Sequence, residues 1–251
     1  MRKTTIKEIL LSMARGIIPR GGYAVRKTTI KESLKILQDA GLPVGDVLDV
    51  GVLHGTPVLM ELFADRTHHL FEPVDDYFPV IRANYAAIAH RLVHAAVSDK
   101  NSEVLIHSAK KLGDGQISHS WITDTATESS RSVPAITLDS YIAGGEAREP
   151  FLLKIDVDGA PVPAAILRGA TRTLEQCSVV VIEMTVDRFF ERAALLDAAG
   201  FDLWDVTALC YYDKCLWQFD AVYVKRSYKA ALPGLQPMHN PPFDVARWQN
   251  G

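Results

Sequence analysis

Cysteine is scarce in this sequence, and the few cysteines are not spaced for metal or redox chemistry. There are three, Cys177, Cys210 and Cys215, so at least one cannot belong to an internal disulfide. None forms a Cys-x-x-Cys pair, the spacing used by structural zinc sites and by thioredoxin-like redox sites. The sequence therefore indicates neither a disulfide scaffold nor a cysteine metal site, and we expect reduced, mostly buried thiols.

Long apolar runs and an excess of one charge are also missing. The longest apolar stretches, such as residues 178–182, are far shorter than the roughly 20 residues of a membrane-spanning helix. The 27 basic and 30 acidic side chains nearly cancel, to a formal net charge of −3. We therefore expect no nucleic acid partner and no membrane insertion. The amino terminus lacks an apolar core with a cleavage site, so the expected location is the cytoplasm.

The sequence does contain enough apolar material for one sizeable core. Its 251 residues are 48% hydrophobic, which suits one domain with appendages better than two independent domains. We predict an N-terminal helical extension over residues 1–44, a main domain over 45–228 and an irregular C-terminal tail over 229–251.

A seven-residue segment occurs twice near the amino terminus. The segment Arg2–Glu8 recurs unchanged as Arg26–Glu32. Each copy carries a threonine three positions before its glutamate, the spacing of a capping box at a helix start. Both copies are therefore predicted to open helices, and the second helix is expected to end at Gly41.

After Pro43 the sequence changes to short apolar runs separated by helical stretches. This alternation is typical of a doubly wound α/β fold, in which a mostly parallel sheet carries helices on both faces. The predicted strands cover residues 47–51, 67–71, 92–97, 104–107, 151–156, 178–183, 202–206 and 219–224, and the predicted helices cover 56–64, 75–88, 162–175 and 187–199. Residues 108–132 are rich in Ser, Thr, Asp, Gly and His, which predicts a long loop of the kind that forms lids.

A glycine-containing turn follows the first predicted strand. Gly51 and Gly55 lie four residues apart after the apolar run 47–50. Glycines at such a strand-to-helix turn let the backbone approach a ligand closely. The spacing is not the G-x-G-x-x-G pattern that cradles a dinucleotide pyrophosphate.

An acidic residue, Glu72, ends the second predicted strand, 23 residues after Asp49. In doubly wound folds an acid at this position can accept hydrogen bonds from both hydroxyls of a ribose. On this feature alone, a solvated glutamate at a strand end is an equally good interpretation.

Further motifs follow in a fixed order along the chain. In sequence they are Leu48-Asp49-Val50-Gly51 with Gly55, Phe71-Glu72-Pro73 with Asn84, Ala95-Ala96-Val97-Ser98-Asp99, Ile136-Thr137-Leu138-Asp139-Ser140-Tyr141, Leu153-Lys154-Ile155-Asp156-Val157-Asp158-Gly159-Ala160, Leu167-Arg168-Gly169-Ala170 and Val180-Val181-Ile182-Glu183. In this order and spacing the chain resembles the FkbM family of methyltransferases, and the resemblance covers most of residues 45–224.

The resemblance implies a Rossmann-like class I methyltransferase that uses S-adenosylmethionine and methylates a hydroxyl on a sugar, glycan or secondary metabolite. The acceptor is then a small molecule or a glycan. By position, the family's loop around the methionine part of the cofactor corresponds to Asp49, Gly51, Val52, His54 and Gly55. The resemblance likewise implies that Glu72 with Pro73 holds the ribose, that Ala96, Val97 and Ser98 form the adenine wall, and that Asp156 borders the cofactor.

Candidate catalytic residues follow two inner strands of the predicted sheet. Asp156 and Asp158 come after the strand 151–156, and Glu183 ends the strand 178–183. In open α/β sheets, ligands bind at the carboxyl ends of the strands. An alcohol acceptor must lose its proton, which a carboxylate within hydrogen-bond reach can take. Asp156 is the leading candidate, followed by Asp158, Glu183 and Lys154; pairing of Lys154 with Glu183 or Asp158 is the alternative for the lysine.

Asp156 and Glu183 could also hold a hard divalent cation such as magnesium, which prefers oxygen ligands. The chain departs from the family here, because Pro161 stands where the family usually has a glutamate after the Asp-Gly-Ala motif. A cation site would be expected to keep that acid. We therefore expect metal-free methyl transfer.

Two other functions compete with this interpretation. A nicotinamide-dependent oxidoreductase would share the glycine turn and the strand-end acid, but it should show a tighter glycine triplet and a tyrosine-lysine or histidine-centred catalytic set. A catalytically silent cofactor-fold protein that acts as an interaction partner is the third possibility, and Pro161 is the feature in its favour.

Overall fold

The computed structural model describes residues 29–110, 117–123, 130–145 and 147–235. Its strands are β1 (Val47–Val50), β2 (His68–Phe71), β3 (His90–Val93), β4 (Ala96–Val97), β5 (Ser102–Lys110), β6 (Ile117–Thr123), β7 (Ser130–Ile136), β8 (Phe151–Ile155), β9 (Cys177–Thr185), β10 (Phe201–Tyr212) and β11 (Cys215–Lys225). Its α-helices are α1 (Ile30–Asp39), α2 (Pro57–Leu62), α3 (Phe78–Asn84), α4 (Leu138–Ile142), α5 (Val162–Arg168), α6 (Thr171–Glu175), α7 (Phe189–Ala198) and α8 (Arg226–Ala231). Short 3₁₀ turns cover Asp75–Tyr77, Val186–Arg188 and Pro233–Leu235.

The main sheet has the strand order β10-β11-β9-β8-β1-β2-β3. β3, β2, β1, β8 and β9 run parallel, whereas β11 is antiparallel to β9 and to β10. The chain proceeds outward from β1 to β3 and then returns to β8 on the other side of β1. Such a reversal between adjacent strands is the place where open α/β sheets bind ligands. The predicted fold class, a doubly wound and mostly parallel α/β sheet, is confirmed.

Helices cover both faces of this sheet. On one face, α1 and α2 bury Leu34, Leu37 and Leu59 against strand residues such as Val179. On the other face, the buried side chains of α5, α6 and α7 pack against the alternate residues of the same strands; these helix residues are Ile166, Leu167, Leu174 and Leu196. Because both faces are covered, β8 and β9 are almost continuously apolar, as the sequence pattern required.

The predicted helix of the second seven-residue copy is confirmed as α1. The Thr29 hydroxyl caps it by accepting a hydrogen bond from the Glu32 amide at 3.1 Å, and the backbone leaves the helix at Gly41, whose φ is +85°. The first copy, Arg2–Glu8, lies outside the described residues. The division into 1–44, 45–228 and 229–251 stays a prediction.

Two predicted elements are split in the structure. The predicted strand 92–97 is divided between β3 of the main sheet and β4 of a second sheet. The predicted helix 162–175 breaks at Gly169 into α5 and α6. A side chain at Gly169 would place its Cβ 2.2 Å from the carbonyl oxygen of Ser98. This close approach of two backbones requires glycine at the residue where α5 ends.

The predicted long loop over residues 108–132 is wrong. Within the described part of this tract, β5 continues to Lys110, β6 spans Ile117–Thr123 and β7 begins at Ser130, and these strands form a second sheet in the order β4-β7-β5-β6. Serine and threonine made the tract look like a loop, but threonine suits a pleated surface well. Strand formation depends on cross-strand neighbours more than on composition, and those neighbours are set by the fold.

Strands β10 and β11 form a ribbon longer than predicted. They are joined by Asp213 and Lys214, whose φ angles are 46° and 66°. These values are the backbone conformation of a two-residue hairpin turn.

The expectation of mostly buried thiols is wrong for two of the three cysteines, because Cys210 and Cys215 are exposed on this ribbon while Cys177 is buried. Among the described helices, all are too short or too polar to cross a lipid bilayer.

Candidate active site

A cavity of about 360 Å³ opens at the carboxyl ends of the parallel strands, beside the reversal between β1 and β8. This volume lies within the range of ordinary small-molecule sites. Its wall is formed by Val50, Gly51, Leu53, Phe71, Glu72, Pro73, Ala95, Ala96, Val97, Ile106, Asp156, Val157, Asp158, Val162, Glu183 and Gln218. Four of these wall residues are acidic, and none of them is a lysine or an arginine.

The floor of the cavity is formed where the turn after β1 touches the turn after β8. Gly51 has a φ of +84°, and a Cβ at this position would lie 1.9 Å from the carbonyl oxygen of Asp156. The Asp156 amide also donates a hydrogen bond to the carbonyl of Val50 at 2.9 Å. Glycine is therefore required at residue 51 both for its dihedral angle and for the contact that brings Asp156 to the cavity.

Glu72 is buried at the end of β2 and organises the glycine turn. Its two carboxylate oxygens accept hydrogen bonds from the amides of Leu53 and Val74, each at 2.9 Å. Burial raises the pKa of Glu72 to about 7, although these amide hydrogen bonds act in the opposite direction. An ionised carboxylate can accept about four hydrogen bonds. Glu72 therefore retains acceptor capacity toward the cavity.

The far side of the glycine turn faces away from this cavity. Gly55 has a φ of +126°, and a Cβ there would lie 3.2 Å from the ring of Tyr85. The Asn84 side chain donates a hydrogen bond to the carbonyl of His54 at 2.7 Å. His54 and Gly55 line a separate depression together with Asn84.

A buried ion cluster lies beneath the cavity. Asp49 is fully buried in β1. The ammonium of Lys154 lies 3.9 Å from Asp49 Oδ1 and donates a hydrogen bond of 2.7 Å to Asp156 Oδ2. Burial lowers the pKa of Lys154, but Asp49 and Asp156 outweigh it and raise the pKa overall. Lys154 is thus held as a cation, and its partners are not the predicted Glu183 or Asp158.

Glu183 lies near the end of β9 and contributes to the cavity wall. Its Oε2 accepts a hydrogen bond from the side-chain nitrogen Nε2 of Gln218 at 2.9 Å. Burial, together with the negative charges of Asp156 and Asp220, raises the pKa of Glu183 to about 7. A carboxylate with this pKa can both take up and release a proton near neutral pH.

Asp220 was missed by the sequence analysis. It lies on β11 directly opposite Glu183 in the antiparallel register. Burial and the charge of Asp156 raise the pKa of Asp220 to about 6, and Lys154 opposes them. Its position beside the site depends on the pairing of β11 with β9, for which local spacing carries no signal.

Arg192 was also missed, and it joins two parts of the site. It is buried on α7 and donates hydrogen bonds to the carbonyls of Glu183 and Ala160, each at 2.9 Å. These bonds tie the end of β9 to the turn that carries Asp156 and Asp158. A buried arginine within an amphipathic helix looks like a surface residue in the sequence, so its contacts could not be read there.

The structure brings about half of the predicted site residues together. The cavity wall includes Gly51, Glu72, Pro73, Ala96, Val97, Asp156, Asp158 and Glu183. The predicted residues outside this wall are Asp49, Val52, His54, Gly55, Ser98 and Lys154. The Ser98 hydroxyl instead lies 3.4 Å from Asp99 Oδ1. For the residues in the wall and for those outside it, a role in cofactor binding or catalysis stays a prediction.

No group of three or more histidine, cysteine or acidic side chains in the described part of the chain is arranged to hold a metal ion. Asp156 and Glu183, the pair considered for magnesium, have other partners: Asp156 pairs with Lys154 and Glu183 with Gln218. Metal-independence itself stays a prediction.

Comparison with solved structures identifies methyltransferases of low sequence identity. An O-methyltransferase from Bacillus cereus, in complex with SAH, is 15% identical, with 90% of this chain and 92% of that chain covered and a TM-score of 0.42. An rRNA methylase from Streptococcus thermophilus is 13% identical, with 80% and 99% covered and a TM-score of 0.44. A magnesium protoporphyrin IX methyltransferase from Synechocystis PCC 6803, with bound SAM, is 7% identical, with 90% and 100% covered and a TM-score of 0.42. No curated protein matches the chain.

A family model gives the decisive comparison. The model for the methyltransferase FkbM domain matches residues 40–204. This range contains β1 to β9, the glycine turn, Glu72 and the acidic wall of the cavity. Because the match covers more than half of the chain, the protein belongs to the FkbM methyltransferase domain family.

Proposed function

We propose that this protein is an S-adenosylmethionine-dependent methyltransferase that transfers a methyl group to a hydroxyl of a small molecule or glycan. The observation that carries the proposal is the charge of the cavity. Glu72, Asp156, Asp158 and Glu183 line it, and the ammonium of Lys154 beneath it is already engaged by Asp49 and Asp156.

An acidic wall suits this cofactor and opposes a nicotinamide dinucleotide. S-adenosylmethionine carries a sulfonium and an ammonium against a single carboxylate, so its net charge is positive and carboxylates near the sulfonium are favourable. The pyrophosphate of a dinucleotide would face several carboxylates, and like charges brought together cost several kcal/mol. The competing oxidoreductase is therefore disfavoured on electrostatic grounds.

The residues that fit the cofactor lie around the reversal between β1 and β8. Glu72 has acceptor capacity for the ribose hydroxyls, and the backbone at Gly51 lets a ligand approach closely. Ala96 and Val97 offer an apolar surface for a purine. When bound, the cofactor would supply a methyl group activated by a positively charged sulfur.

The chain's own residues would orient the acceptor and take its proton. Holding the hydroxyl oxygen in line with the methyl group accounts for much of the expected acceleration. Glu183 accepts the hydroxyl proton, and Gln218 keeps its carboxylate oriented through the 2.9 Å hydrogen bond. The sequence ranks Asp156 first for this role, but the ion pair of Asp156 with Lys154 at 2.7 Å favours Glu183.

The first test is ligand-dependent thermal stability. S-adenosylmethionine and S-adenosylhomocysteine should raise the melting temperature, because a ligand that binds only the folded state stabilises it; at about 100 times its dissociation constant the gain is about 2.7 kcal/mol. NAD and NADP should have no effect. A shift with NAD alone, measured by differential scanning fluorimetry, would show that the cofactor assignment is wrong.

A second test removes the charge of Glu72. The Glu72→Gln variant should bind S-adenosylhomocysteine at least about tenfold more weakly in titration calorimetry, because hydrogen bonds to a charged group contribute about 1.5–3 kcal/mol. Glu103→Gln is the matched control, since Glu103 is an exposed acid in β5. Equal affinity in both variants would place the ribose contact elsewhere.

The same proposal includes a small-molecule or glycan acceptor, no nucleic acid partner and a cytoplasmic location. A net charge of −3 offers no general attraction to nucleic acid. A catalytically silent protein would bind the cofactor with the same affinity but show no turnover with any hydroxyl acceptor.

A further inference from the structure

We propose that the ribbon tip formed by Leu209–Trp217 binds an extended apolar part of the methyl acceptor. This inference rests on the proposed function, because it concerns the substrate of the same site. It implies that the acceptor is an alcohol attached to an alkyl or ring-containing scaffold, and not a small, fully polar hydroxy compound.

The ribbon tip extends past the sheet at the edge where the cavity opens. The pairing of β11 with β9 reaches Gln218 opposite Thr185 and goes no further. Beyond that point β10 and β11 pair with one another alone: Cys210 lies opposite Gln218, Tyr211 opposite Leu216 and Tyr212 opposite Cys215. Gln218 itself lines the cavity and is hydrogen-bonded to Glu183. The ribbon tip is therefore continuous with the cavity wall at Gln218.

The ribbon tip exposes an unusual amount of apolar surface. Five of its side chains are between 36% and 71% exposed, namely Leu209, Tyr211, Tyr212, Leu216 and Trp217. Phe190, which is 83% exposed, follows the end of β9 at the same sheet edge. Tyr211 and Leu216 lie on one face of the ribbon and Tyr212 lies on the other, because they belong to successive cross-strand pairs. Both faces therefore expose apolar surface, which is typical of ligand or partner sites. Tyrosine and tryptophan also bind ring systems at little cost in conformational entropy.

The ribbon tip has a built-in bend where it leaves the sheet. Ala208 has a φ of +52°, and the β10–β11 register shifts between Thr207 and Cys210 and again before Tyr211. Bulges of this kind re-aim the side chains of a strand and recur beside active sites. A straight continuation of the sheet would require neither feature.

The charges at the turn argue for an acceptor over a membrane surface. Asp213 and Lys214 form the end of the ribbon, so a ribbon inserted end-first would carry two charges deepest into the bilayer, which is costly. An acceptor that lies along the flank of the ribbon leaves both charges in water. The apolar flank, and not the turn, is therefore the binding surface.

The test compares two ligands that share a sugar and differ in their apolar part. The full chain is titrated by ligand-observed NMR with n-octyl β-D-glucoside, held below its micelle-forming concentration, and with methyl β-D-glucoside. We expect the octyl glucoside to bind at least about tenfold more tightly, a factor that corresponds to about 1.4 kcal/mol or roughly two buried methylene groups. The double variant Tyr212→Ser/Trp217→Ser should lose this preference.

Leu203→Ser is the matched control, because Leu203 is an exposed apolar residue of the same strand, paired with Tyr223 within the sheet. It should keep the preference for the octyl glucoside. The single variant Trp217→Ser gives the same readout if the double variant does not fold. S-adenosylhomocysteine affinity is measured on each sample and should be equal in all of them; failure of the wild type to bind it would overturn the proposed function without affecting the glucoside comparison.

Three results would overturn the inference. The first is a wild type that binds the octyl and methyl glucosides equally well, or a double variant that keeps the wild-type preference for the octyl glucoside. The second is a dimer in light scattering that the double variant converts to a monomer, which would make the patch an interface between copies. The third is wild-type co-sedimentation with phosphatidylcholine vesicles that the double variant loses, which would make it a membrane contact.

Discussion

Replacing Glu183 by glutamine should lower the turnover number by about 10²–10⁴-fold while leaving the affinity for S-adenosylhomocysteine nearly unchanged. The substitution keeps the shape of the side chain and the partnership with Gln218 but removes the proton acceptor, and general bases contribute about this factor. Asp156→Asn is the matched comparison, because Asp156 lines the same cavity and is already paired with Lys154. We expect the smaller loss of turnover from Asp156→Asn.

The pH dependence gives a second readout for Glu183. Its pKa of about 7 means that the base becomes available as the pH rises through 7, so kcat/KM of the wild type should rise to a plateau above that value. The free energy of unfolding should fall over the same pH range in which kcat/KM rises. The folded-state pKa is raised, so the stabilising contribution of the protonated form is present below pH 4.5 and is lost as the pH rises through 7. Glu183→Gln should therefore be at least as stable as the wild type at pH 8.

These results would separate a base from a metal site. If Glu183 is the base, a chelator should not change turnover. If Asp156 and Glu183 share a cation, both substitutions should abolish activity, and magnesium or manganese should restore chelated wild-type enzyme. Full activity in both variants would mean that neither carboxylate removes the proton.

Replacing Lys154 by methionine should destabilise the fold by about 3–5 kcal/mol, because it leaves the buried carboxylate of Asp49 without its compensating charge. Asp49 is fully buried, and the Lys154 ammonium lies 3.9 Å from its Oδ1. This loss is a large fraction of the 5–15 kcal/mol that is typical of a folded domain. Urea unfolding measured at pH 8 provides the value.

Two comparisons test the cause of that loss. The double variant Lys154→Met/Asp49→Asn should recover more than half of it, since the uncompensated charge is gone. Burial raises the pKa of Asp49, so in the single variant the loss should shrink as the pH falls and the carboxyl takes up a proton. Lys35→Met, which breaks the exposed pair with Asp39 at 3.0 Å, should change stability by less than about 1 kcal/mol. Equal losses in Lys154→Met and Lys35→Met would contradict the role of the buried pair.

Much of the fold follows from local sequence signals. Alternation of apolar runs and helical stretches predicted the parallel strands β1, β2, β8 and β9, and their ends lie within one or two residues of the predicted ones. The capping pattern at Thr29 predicted the start of α1. These signals succeed because hydrogen-bonded turns and burial on both faces restrict which residues can occupy each position.

The second sheet shows where composition fails. Residues 108–132 contain many loop-favouring residues, yet the described part forms strands because β5 pairs with both β6 and β7. Strand pairing is a long-range property, and a polar strand in an antiparallel sheet carries little sequence signal of its own.

The sequence by itself determined the family, through the order and spacing of its motifs along the chain. It also determined the glycine turn and the acids at the ends of β2, β8 and β9, because each of these depends on residues that are close together in the chain. Only the tertiary structure decided the pairing of Lys154 with Asp49, the placement of Asp220 opposite Glu183 and the bridge from Arg192 to Ala160. These contacts join segments that lie far apart in sequence. A side chain's pKa and partners depend on what the fold packs around it, since burial and neighbouring charges act through space.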